Sequence, residues 1–278
     1  MKRYDKTCAK FDGILNLSIL LRTSKKFNLR VMDKKYKLTD KTILHKSKTL
    51  YRIEALRDFN DVKKGDKGGF IECEDNLSQE GNCWIYDNAK VFNNAIVRDN
   101  ACVYDIAEVY GNAKVAMNAM VYDMANISDD ARIESYAKVY GEADINGHAF
   151  IGGSTRVYEE AIVRGIVVIK GSSKIHGDVN ITGDVYIIDA EISKKEDYIV
   201  FKNWWSSGRY FTWTRSNNMW QVGCFYGTGE ELIAKAYKDS ELSGREYERI
   251  VRYVEAINQP AKRLNRIQKI VCKLFNIK

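Results

Sequence analysis

The sequence predicts a mainly β chain built round a parallel β-solenoid, and three observations carry that expectation. Val or Ile recurs every six residues from Ile85 to Ile187, eighteen times without a slip. A small residue, mostly Ala, stands two positions before most of them, as at Ala89, Ala95, Ala101 and Ala107. Asp, Asn or Gly fills most positions two after it, as at Asp87, Asn93, Asp99 and Gly111. Side chains alternate along a strand, so Ala89 and Val91 share one side and Lys90 and Phe92 the other. Asp, Asn and Gly tolerate the tight or left-handed angles of a corner. Six residues therefore make one short strand and one corner. Coils of such sides hydrogen-bond to each other at about 4.8 Å and bury a column of Val, Ile and Ala.

A second period lies inside the first. Tyr86, Tyr104, Tyr122, Tyr140 and Tyr158 are each 18 residues apart, with His176 next in line. Three hexads per coil give about six coils and a body roughly 30 Å long. The Tyr column falls on one outer face. The equivalent places on the other two are mixed: Phe92, Tyr110, Ser128 and Asn146, then Arg98, Ala116, Glu134 and Gly152. Two readings of the column stand side by side. It is a stabilising stack covered by flanking domains, or a flat aromatic strip that docks a partner, a sugar or another subunit.

Four regions follow. Residues 1–67 form a basic N-terminal region and cap, with strands in "KYKLT" and "KTLYRIEAL" and a turn at "KKGDKGGF". Residues 68–192 are the solenoid. Its first coil, "GGFIE" with "NLSQEGNCW", is atypical because an open solenoid end must be capped. Residues 193–258 are a small α+β domain, with three strands in 198–205, 209–216 and 219–227. A helix then begins at a Thr228 cap, with Glu230 and Glu231 in its first turn, and a second helix covers 243–257. Residues 259–278 are a basic amphipathic helix with Leu264, Ile267, Val271, Leu274 and Phe275 on one side.

The net charge of +7 is unevenly spread. Residues 1–67 carry 19 Lys and Arg against 8 Asp and Glu, and residues 259–278 carry six basic residues and no acid. The body between them is acidic. Basic ends allow contact with an acidic partner, or serve only solubility. Nucleic acid through those ends is a lesser option, recognisable by steep salt dependence. No apolar run is long enough for a transmembrane helix, and the first residues lack a signal-peptide cleavage pattern. Six scattered Cys without a CxxC pair fit reduced thiols and a cytoplasmic location, without a zinc site.

The hexads resemble the hexapeptide-repeat, left-handed β-helix proteins. That resemblance implies the triangular cross-section and the left hand; the period alone implies only a solenoid. The longer phrase Thr49–Val91, "TLYRIEALRDFNDVKKGDKGGFIECEDNLSQEGNCWIYDNAKV", is similar to a recurring phage and prophage module and to the YdcK-like β-helix proteins. It implies a viral or prophage origin more than a reaction. β-Helix relatives are often trimers, so a homo-oligomer, trimer or dimer, is left open.

Candidate site residues lie after the repeat. Trp204, Trp205, Trp213 and Trp220 fall within 17 residues, interleaved with Arg209 and Arg215. Trp faces stack on bases and cations, and Arg pairs with phosphates or carboxylates. A nucleotide or peptide pocket is one reading; the core of a small domain is the other. Acyltransferases of the hexapeptide class use a His near a loop that interrupts the coils. Here no hexad is interrupted, and His148 and His176 face outward without an evident acid partner. Cys224 reads as buried. The expected function is therefore a non-enzymatic, phage-encoded binding protein without cofactor or catalytic residues. It would inhibit host bacterial immunity by binding a host protein or sequestering a nucleotide signal. A hexapeptide acyltransferase-like enzyme and a phage structural or scaffold protein are the alternatives.

Overall fold

The protein is described from a computed structural model, over residues 34–258. The expectations for residues 1–33 and for the helix at 259–278 lie outside the described residues. The solenoid is present and parallel. Two-residue strands such as Lys90–Val91, Glu108–Val109 and Asn126–Ile127 pair with the strand one coil away, Val91 to Val109 and Asn126 to Glu108. Along one face, seven strands run in register from Trp84–Ile85 to Glu191–Ile192. The Val/Ile column and its Ala neighbours are sealed from solvent in one continuous core.

The corners show why Asp recurs there. Asp87, Asp105, Asp123 and Gly141 lie one above another with φ of 47°, 56°, 58° and 70°. The left-handed turn takes the corner N–H out of the backbone ladder, and the carboxylate one coil below accepts it instead. Asp105 Oδ2 accepts from the Asp123 N–H at 3.0 Å, and Asp123 Oδ2 from the Gly141 N–H at 3.0 Å. A second corner repeats the device from Asp129 to Gly147 at 3.0 Å. Asp is thus favoured twice, for its tolerance of the angle and for the bond it offers.

The regularity ends toward the C-terminal coils. Val167 and Val185 occupy the Ala column and are buried. Beside them, strands Ile162–Lys170 and Asn180–Ile188 run nine residues without breaking at the corner, crossing it at Gly165 and Gly183. The last coil is one residue short, since Ile175 pairs with Ile192 rather than with residue 193.

Both ends are covered. At the N-terminal end, strands Tyr36–His45 and Lys48–Ala55 form an antiparallel hairpin that continues through Lys67–Ile71 into the solenoid. The first strand is longer than its sequence suggests. Trp84 plugs the open coil between Tyr36 and Phe59. The Tyr36 hydroxyl donates to the Leu77 carbonyl at 2.7 Å, and Lys35 Nζ, fully buried, to that of Cys83 at 2.9 Å. At the other end the final coil meets a four-stranded antiparallel sheet, Tyr198–Lys202, Tyr210–Thr214, Met219–Val222 and Phe225–Gly227. Three strands are expected from sequence. Gly223, at φ +58°, folds the third back on itself and makes four. Side chains of this sheet satisfy the coil's exposed backbone. Asn217 Nδ2 donates to the Ile188 and Asp189 carbonyls at 3.0 Å each, and Ser216 Oγ accepts from the Glu191 N–H at 2.8 Å.

Helix α1, Gly229–Asp239, begins at Thr228, whose hydroxyl accepts from the Glu231 N–H. Helix α2, Glu241–Asn258, starts two residues earlier than its sequence suggests. Leu232, Ile233 and Ala236 of α1 and Tyr247, Val251 and Val254 of α2 close a second core over the sheet. Among the described residues no helix is long and apolar enough to cross a membrane.

Candidate functional site

The Tyr column is present as stacked rings. Tyr122, Tyr140, Tyr158 and His176 stack face to face at 4.7, 5.0 and 5.0 Å. Tyr86 and Tyr104 form a separate stacked pair at 4.4 Å. In this pair Tyr86 donates to Asp61 Oδ1 at 2.7 Å. Ring faces are spent on neighbouring rings, and the half-buried column turns its edges outward. A sugar or base has no free face to stack on inside the quartet. Burial raises the phenol pKa along the column, while the charge of Arg156 opposes that at Tyr122, Tyr140 and Tyr158.

The histidines have the acid partners that the sequence did not reveal. His148 Nδ1 lies 3.5 Å from Asp130, one coil away. His176 sits between Glu159 at 3.7 Å and Glu191 at 3.2 Å. Partners 17 or 18 residues away are neighbours in a coil and distant in the chain. A carboxylate thus faces each ring nitrogen of His176. His45 lies against Glu108 at 3.0 Å, where Lys46 and Lys90 also converge. Burial pushes the Glu108 carboxyl up, but hydrogen bonds from Lys46, His45 and Lys90 outweigh it and hold the pKa at about 2. Among the described residues of the cap, Lys48 pairs with Glu72, and Lys37 and Lys67 with Glu54.

The Trp/Arg cluster divides. Trp213 and Trp220 are buried in the second core, where Trp213 Nε1 donates to Asn218 Oδ1 at 3.0 Å. Trp205 is half-buried, edge-on to Tyr247 at 4.9 Å. Trp204 is 71% exposed. Arg215 donates to the Glu196 carbonyl at 3.0 Å and lies 4.0 Å from Asp197. Arg209 is exposed and borders a cavity of about 120 Å³ with Asn203, Ser207, Tyr210, Phe211, Val222 and Gly223. Asn203 was not singled out from sequence; a polar residue among the large apolar ones of "YIVFKNWW" was its signal. Cys224, expected to be buried, is exposed, because the turn at Gly223 carries it to the surface.

No family model matches the chain. A 56-residue stretch, 20% of the chain, is 52% identical to the uncharacterized acetyltransferase YdcK of Escherichia coli (strain K12). The match spans 17% of that relative's length. With the solenoid, it places the chain beside the hexapeptide-repeat proteins.

Proposed function

We propose that this chain is a binding protein rather than an enzyme, with the solenoid as a rigid spacer and the C-terminal domain as its contact surface. One observation carries the reading. The solenoid histidines face carboxylates of neighbouring coils, whereas the C-terminal domain places an exposed Arg209, without an ion pair among the described residues, beside a cavity. The partner is a protein. The cavity of about 120 Å³ is below the ~300–1,000 Å³ of ordinary small-molecule sites, which disfavours sequestration of a whole nucleotide. The finer proposal keeps the phage-like phrase Thr49–Val91: a phage-encoded inhibitor of a bacterial immune protein.

The name of the relative supports a second reading, transfer of an acetyl group. Against it stand the uninterrupted hexads. The test is acetyl-CoA consumption with small amine and hydroxyl acceptors. The binding reading expects the rate of the protein-free blank; turnover lost in His176→Ala would replace it with the enzyme reading. Expression in phage-challenged hosts tests the finer proposal. Plating should rise on a defended strain and not on an undefended one; no difference would remove the anti-defence role.

A further inference from the structure

We propose that the Asn203–Arg209 cavity binds an α-carboxylate with an N–H group beside it, the chemistry of a peptide's last residue or of a free amino acid. The inference rests on the binding reading above. Three observations converge.

The first is an unanswered acceptor. Asn203 is 7% exposed, and its Nδ2 donates to the Tyr247 hydroxyl at 2.8 Å. Its Oδ1 is buried without a hydrogen-bond partner. Buried amide oxygens are almost always paired, so this one is suited to an incoming N–H. The second is an unanswered cation. Arg209 makes no ion pair among the described residues, and its planar fork of N–H donors matches a carboxylate. Ser207 Oγ accepts from the Arg209 N–H at 3.3 Å, which leaves its own proton to give. The third is size and lining. About 120 Å³ suits one residue, and Phe211 and Val222 supply an apolar wall for its side chain. One acceptor, a cationic fork and a hydroxyl donor together describe a ligand with an N–H and a carboxylate.

The test is an NMR titration of the full chain with N-acetylglycine, N-acetylglycinamide, glycine and inorganic phosphate as probes. N-acetylglycine should shift the amide resonances of 203–211 and 222–223. N-acetylglycinamide, which lacks the charge, should bind at least about tenfold more weakly. Arg209→Gln, at an exposed position, should weaken the acid about tenfold and leave the rest of the spectrum in place. Asn203→Ser should weaken the acid and the amide alike. Tighter binding of N-acetylglycine than of glycine identifies a chain end; the reverse identifies a free amino acid. Equal affinity for acid and amide, preference for phosphate, an unchanged Arg209→Gln, or no shift with any probe would overturn the proposal. Those results leave the binding reading standing, since only acetyl-CoA turnover removes that.

Discussion

The solenoid and the C-terminal domain each bury an apolar core, yet they organise it differently. In the solenoid each coil repeats its neighbour. Val, Ile and Ala fill the inside, Asp and Gly turn the corners, and side chains 18 residues apart satisfy each other, as Asn94 Nδ2 and Asn112 Oδ1 do at 3.1 Å. In the C-terminal domain one small core gathers Phe211, Trp213 and Trp220 under two helices. There the packing leaves a cavity, a buried amide oxygen without a partner and an unpaired guanidinium. Repetition brings like side chains of successive coils together; irregular packing brings together residues far apart in the chain.

The sharpest way to break this comparison is to remove one large side chain from each core. Trp213→Ala should cost about 3–5 kcal/mol, the usual range for a buried Trp. It should unfold the C-terminal domain first, seen as lost helical circular dichroism at a temperature where solenoid amides are still protected. A single shared transition would mean that the two regions are one cooperative unit. Ile127→Ala, in the middle of the solenoid, should cost about 2–5 kcal/mol in chemical denaturation. Its effect should move the solenoid transition and not the domain's.

The next effect concerns the N-terminal hairpin. Glu108 has its pKa lowered from 4.5 to about 2 in the folded chain. The stability it contributes is present above about pH 4.5 and is lost as pH falls toward 2. The loss should amount to roughly 1–3 kcal/mol, reduced by screening of this partly exposed group. Glu108→Gln should flatten the acid limb of the stability curve; an unchanged limb would show that the Lys46, His45 and Lys90 contacts hold little. The smallest effect is at the α1 cap. Thr228→Ala should cost about 1 kcal/mol, measured as a small fall in the domain transition alone.

The solenoid was legible because its rule is local: six residues decide one side and one corner. The Tyr column was legible in position, and the period left open whether its rings stack on each other or present a flat strip. The acid partners of His148 and His176 became visible only once coils stacked. The C-terminal strands were legible by their apolar runs, but the Gly223 turn, and with it the exposure of Cys224, was not. The cavity depends on Asn203 meeting Tyr247, 44 residues away, a pairing that no spacing announces. The one-residue shortening of the last coil is explained by its coupling to the sheet, where Ser216 and Asn217 take up its backbone.

Hydrogen exchange along the whole chain, with and without saturating N-acetylglycine, tests the central claim most directly. Added protection confined to residues 203–223 is the expected result. Protection along the Tyr122–His176 column instead would contradict the assignment of recognition to the C-terminal domain, and protection nowhere would overturn the carboxylate site.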